Sequence, residues 1–141
     1  RMENLELPFH ENPAAGYPTR GLLFDLVARY QPPVWDVRRS YGSLHGSLSG
    51  YLSFLPQDRL TFGLRLGGQQ NFGRTPYFDL ATLGGGRFFT GAATNRGFYS
   101  RRFAGESSVY ANGDARVVLF RPKLIVPGDF GVHLFADVGR V

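Results

Sequence analysis

The chain has no cysteine and only one lysine, one tryptophan and one methionine among its 141 residues. Without cysteine there is no disulfide framework and no thiolate metal site, and three scattered histidines make a poor zinc set, so neither a metal nor any other cofactor is expected. No stretch of about 18 apolar residues is present, which excludes a bilayer-spanning helix. Sixteen basic residues give a formal charge of +5 and a pI near 10.0. They are spread along the chain, as dispersed loop and lumen cations would be, so no nucleic-acid partner is expected. Enzyme signatures are missing too. Serines fall on strand faces, no histidine stands beside a serine and a carboxylate, and the carboxylates are dispersed, so no catalytic residues are assigned. Arg1-Met2-Glu3-Asn4 lacks the basic-then-apolar order of a secretory leader. Asp137 to Val141 break off within an alternating pattern, so the chain is expected to be a piece of a longer protein.

What is abundant is 19 Gly, 13 Phe, 9 Pro and 7 Tyr, the chemistry of strands and turns. The clearest run is Tyr41 to Phe54. Gly42, Leu44, Gly46, Leu48, Gly50, Leu52 and Phe54 alternate there with Tyr41, Ser43, His45, Ser47, Ser49, Tyr51 and Ser53, a period of two without error. Pro56-Gln57-Asp58-Arg59 supplies a polar turn, after which Leu60, Phe62, Leu64 and Leu66 alternate with Thr61, Gly63, Arg65 and Gly67. From Val109 to Leu119 small apolar residues face one way, while Tyr110, Asn112, Asp114 and Arg116 face the other. A turn over 121–128 leads to Phe130, Val132, Leu134, Ala136 and Val138, opposed by Gly131, His133, Phe135, Asp137 and Gly139. A less pure alternation covers Leu22 to Arg29. The expected strands are 21–30, 41–55, 60–69, 108–120 and 129–140, separated in the middle by a long loop over 70–107.

Two readings of this pattern compete. A soluble antiparallel sandwich turns one face to its core and one to water. A membrane barrel turns the apolar face to lipid and the polar face to a wet interior, and its tilted strands need about 9 to 11 residues where soluble strands average about 5 to 6. The strands here are long, and their apolar faces carry no charge. The pattern therefore favours an all-β transmembrane antiparallel β-barrel, here a fragment of about five long strands with a long inward-folded loop. Since closed barrels of this kind need at least about eight strands, the others are expected from sequence beyond these residues or from other copies.

The loop greatly exceeds the ~12 to 15 residues beyond which irregular segments are usually functional. Its glycines and rings include Gly73, Tyr77, Phe78, Gly84, Gly85, Gly86, Phe88, Phe89, Gly91, Gly97, Phe98, Tyr99 and Phe103. So many aromatics suit a segment that folds inward and packs, with glycines supplying turns closed to other residues. Gly84-Gly85-Gly86 is not a phosphate loop, because no Lys-Ser/Thr and no helix pattern follow it.

Six short motifs occur in order: Pro76-Tyr77-Phe78-Asp79-Leu80, Leu83-Gly84-Gly85, Arg96-Gly97-Phe98, Arg102-Phe103-Ala104-Gly105, Asn112-Gly113-Asp114-Ala115-Arg116 and Phe135-Ala136-Asp137-Val138-Gly139. Together they resemble the barrel of the bacterial surface antigen superfamily, over about residues 21–141. That superfamily includes outer-membrane protein insertases, the translocation and assembly module and two-partner secretion transporters. The resemblance implies that residues 1–141 are part of one integral outer-membrane barrel domain. Its lipid partner would be the bilayer, and its protein partners client polypeptides and periplasmic or lipoprotein accessory subunits. The work would need no covalent chemistry, its energy coming from substrate folding at a weak barrel seam. The resemblance leaves room for a barrel that anchors or exports a fused lipase-like or phosphoesterase-like domain. A passive diffusion pore fits less well, because an inward loop would obstruct it.

The same resemblance implies that Arg96, Gly97 and Phe98 form the loop tip, with Arg96 meeting Asp137 on the inner wall. Asp114, where relatives often carry Glu, would be a second acceptor, and Gly139 belongs to the same wall motif. Gly97 would allow close approach of the tip and Phe98 would pack beside it, while Gly84, Gly85, Arg102 and Phe103 pack the loop. Asn95 stands where relatives often have an aliphatic residue. The plain alternative is that Arg96 caps an exposed loop and Asp137 pairs with Arg116 or His133.

Overall fold

A computed structural model describes residues 10–12, 17–33, 39–85, 94–121 and 130–141. The loop residues Gly86, Phe88, Phe89 and Gly91 and the turn expected beyond Arg121 lie outside the described residues. Elements follow in the order β1 (His10–Asn12), β2 (Tyr17–Gln31), β3 (Tyr41–Phe54), β4 (Leu60–Gly73), β5 (Ala81–Leu83), β6 (Phe103–Gly105), β7 (Ser107–Phe120) and β8 (Phe130–Arg140). The only helical pieces among the described residues are single 3-10 turns at Pro56–Asp58 and Tyr77–Asp79. Every pairing is antiparallel, the main sheet running β1-β2-β3-β4-β7-β8 and β5-β6 forming a small sheet of their own.

The five long strands fall where the alternation puts them, but β2 begins at Tyr17 and β4 runs on to Gly73. The loop is accordingly 74–106 and not 70–107. β1, β5 and β6 have three residues each, too few for a period of two to appear. Among the described residues the sheet stays open, since β8 pairs only with β7 and the far neighbour of β2 is the short β1. The coarse expectation of an all-β antiparallel sheet holds, and closure is not seen.

The register sorts side chains into two faces. Leu22, Gly50, Leu64, Gly113 and Ala136 stand in one cross-strand row, and Phe24, Leu48, Leu66, Ala111 and Val138 in the next. The large apolar residues of both rows are exposed. Their sequence neighbours point the other way, and there Ser49, Ser53, Thr61, Asn71, Ser108 and Asn112 are buried. This is the reverse of a water-soluble sheet, whose buried face is the apolar one. On the polar face glycines make room for rings. A Cβ on Gly67 would fall 2.5 Å from the Tyr110 hydroxyl, so the phenol lies directly over that backbone.

One local departure has a visible consequence. The β7–β8 register shifts between Val118 and Phe120, so Leu119 does not continue the row of Val117. Phe120 then stands opposite Phe130 with the rings stacked at 4.9 Å. A β-bulge of this kind adds one unpaired residue and re-aims its neighbours.

Candidate loop-locking site

The site forms where loop residues 94–97 cross the polar faces of β7 and β8. Alternation places Asn112 and Asp114 on the polar face of β7, with Asp137 on the same face of β8, because Asn112 is the register partner of Asp137. Arg96 reaches them from the loop. Its Nε donates to Asp137 Oδ2 at 2.9 Å and to Oδ1 at 3.2 Å, and its Nη2 donates to Oδ1 at 2.5 Å. Its backbone N–H donates to Oδ2 at 2.6 Å, so one carboxylate holds both the side chain and the main chain of the tip. The remaining edge of the guanidinium turns to β7, where Nη1 donates to Asp114 Oδ1 at 2.6 Å.

A planar fork matched to a carboxylate in this way gives direction as well as attraction, which a lysine ammonium would not supply. Burial decides which contact matters more. The Asp137 side chain is 5% exposed, against 16% for Asp114 and 25% for Arg96. An ion nearly removed from water depends on its partner most, so Asp137 is the anchor and Asp114 the support. Hydrogen bonding to Asp137 pushes the Arg96 pKa above its ordinary value, so the guanidinium stays charged at any accessible pH. Phe135, the register partner of Asp114 on β8, presents its ring with the centroid 4.3 Å from the Arg96 guanidinium carbon and adds a cation–π contact. Two carboxylates face one guanidinium, and His133 Nε2 lies 2.7 Å from Asp114 Oδ1. The alternative pairing of His133 with Asp137 is therefore not the one observed.

Other contacts hold the loop flat against the wall. Asn112 Nδ2 donates to the Thr94 carbonyl at 2.8 Å, the Gly84 N–H to the Thr94 hydroxyl at 3.0 Å, and the Gly85 N–H to the Asn95 carbonyl at 3.2 Å. At the loop's entry the Tyr41 hydroxyl donates to Asp79 Oδ2 at 2.9 Å, and Asn71 Nδ2 donates to the Asp79 carbonyl. Gly84 and Gly85 have φ of +108° and +42° and pack against Tyr99 to Arg102, while the Arg102 N–H donates to the Tyr99 carbonyl. Phe103 meets Phe98 edge-on at 5.2 Å.

Two expected roles move to other residues. Gly97 is not a point of close approach among the described residues, since beyond its chain neighbours none of their atoms lies within 4 Å of a Cβ built there; its φ of +85° is what favours glycine. The close approach falls at Gly139, where a Cβ would meet Asn95 Oδ1 at 2.8 Å and Leu83 Cδ1 at 2.9 Å. Phe98 is half-exposed and packs on Phe103, so the ring beside the guanidinium is Phe135. Tyr41, Asn71, Thr94, Asn112 and Phe135 were not expected as holders of the loop. The usable signal for three of them was parity, since Tyr41, Asn112 and Phe135 occupy the polar faces already assigned. Among the described residues no group of three or more His, Asp or Glu side chains is placed to share a metal ion. Comparison of the chain with protein-family models, curated proteins and solved structures found no match.

Proposed function

We propose that the chain is the wall and lock of an integral outer-membrane β-barrel that inserts or translocates polypeptides, of the kind found in the bacterial surface antigen superfamily. The observation that carries this reading is the pinning of a long loop to a polar sheet face by Arg96, Asp137 and Asp114, on a sheet whose other face is apolar and exposed. An exposed face of leucine, valine and phenylalanine is costly in water and favourable in hydrocarbon. From Leu60 to Gly68 the apolar band extends about 27 Å along the strand at ~3.4 Å per residue. Tilted by about 35 to 45° as barrel strands are, this band spans about 19 to 22 Å of bilayer, somewhat less than the ~25 Å band of outer-membrane barrels, and the aromatic rims extend it. Tyr30 and Phe72 at one rim and Phe54, Phe120 and Phe130 at the other are exposed, as aromatic girdles are.

The chemistry needed is mechanical. A loop locked over the wall narrows the interior to a defined shape for a client chain, and its charge-assisted bonds keep that shape while the client moves. The same loop weighs against a passive pore. The test is reconstitution of the full protein into phospholipid vesicles with an unfolded outer-membrane barrel as client. Native protein should speed client folding, and Asp137→Asn protein that still inserts into vesicles should lose most of that acceleration. Vesicles that leak small solutes freely while client folding stays at the spontaneous rate would overturn the proposal.

A further inference from the structure

The exposed apolar face is not a smooth wall. A shallow, open groove of about 730 Å³ runs across β2, β3, β4 and β7. Its floor is Gly46 and Gly68, adjacent in the row that joins Leu26, Gly46, Gly68, Val109 and Arg140. Leu44, Leu48 and Leu66 rise on either side. The two glycines have different physical explanations. At Gly68 a Cβ would fall 2.7 Å from the Ser108 carbonyl oxygen, so the backbone itself demands glycine. At Gly46 the nearest atom is Leu26 Cδ1 at 3.5 Å, an ordinary contact, so packing leaves room for a side chain the sequence does not place there.

The groove also has a polar end. Gln70, Ser107 and Arg140 line it on the side where the strands meet the long loop. Arg140 is the one charged residue in the lining, and it makes no ion pair among the described residues. An apolar groove that ends in a cation with no ion pair among the described residues complements an amphiphile with an apolar tail and an anionic head. We propose that this groove binds one acyl chain of an anionic phospholipid, with Arg140 facing a headgroup whose net negative charge no choline cancels. This rests on the membrane reading above and adds a lipid site to it. A guanidinium on an aliphatic stem can keep its charge at the headgroup level while its stem lies along the apolar surface.

The experiment photolabels the full protein in phosphatidylcholine vesicles with phosphatidylglycerol carrying a diazirine in its acyl chain, and maps the labelled residues by mass spectrometry. Label should concentrate on residues 44–48 of β3 and 64–70 of β4, and a matched phosphatidylcholine probe should label them about fivefold less, as loss of one basic contact implies. Arg140→Gln should bring the two probes to equal labelling, and Gly46→Leu, which fills the slot without crowding the backbone, should remove the concentrated label for both. Even labelling along the outer face, alike for both headgroups and both variants, would overturn the lipid site and leave the membrane reading standing. A protein that no acyl probe labels would overturn both.

Discussion

At the residue scale, one carboxylate carries most of the lock. Removing one partner of a buried ion pair costs about 3 to 5 kcal/mol, and because Arg96 keeps a quarter of its surface exposed the low end of that range applies. Exchange of the two charges is a poor probe here, since an acid at position 96 would face Asp114. Neutral changes are cleaner: Arg96→Gln, Asp137→Asn and the double, followed by urea unfolding in detergent or vesicles. Each single should lose about 3 kcal/mol and the pair should couple by about 2 kcal/mol. Strict additivity would mean that the two groups do not touch. The neighbouring Asn95 offers a change of the opposite sign. It is buried, with no hydrogen-bond partner for Oδ1 among the described residues, and leaving such an acceptor unmade costs about 1 to 3 kcal/mol. Asn95→Val should therefore stabilise the protein by about 1 kcal/mol in the same unfolding assay.

At the element scale, the loop is a layer laid on a wall, and the fit depends on small residues in the wall. Ala81 and Leu83 of β5, within the loop, are buried, and Gly139 of β8 leaves the gap into which Leu83 and Asn95 press. Gly139→Val should lift residues 94–96 and make the loop cleavable by a protease that spares the native protein. The exposed Gly113 row on the other face should tolerate the same change without loop cleavage. Much of this layer was legible in the sequence and some of it was not. Tyr41 to Phe54 declared a long strand through an unbroken period of two, and Asp114 and Asp137 fell on polar faces by the same count. The three-residue strands gave no period to read. The role of Gly97 was misplaced because sequence shows that a glycine is needed but not whether φ or space requires it. Gly139 was singled out in its motif, yet the contact that explains it comes from Leu83, 56 positions away in the chain, and no local pattern reports it.

At the scale of the whole molecule, what sets this protein apart is the inversion of its faces. Hydroxyls and amides are buried, while leucines and phenylalanines are exposed on a band with no charge in its middle rows. A charge placed there should cost most at mid-height. Leu64→Arg should lower folding stability in vesicles by about 2 to 4 kcal/mol, and Leu60→Arg at the rim by no more than about 1 kcal/mol. Equal penalties would mean that the band has no depth. The inversion also joins the lock to the proposed membrane setting, since a polar wall receives Arg96 and an apolar one is what contact with lipid would require.

The most direct test of that inversion is a cysteine scan along β3 in native membranes, favoured by the absence of cysteine from this sequence. Single cysteines at Leu44, Leu48 and Leu52 should react with a lipid-soluble maleimide and resist a membrane-impermeant one, while those at Ser43, His45 and Ser47 should show the opposite preference. A two-residue alternation with the preferences exchanged, or equal reaction with the water-soluble reagent at all six, would contradict a sheet that faces lipid on one side and its own locked loop on the other.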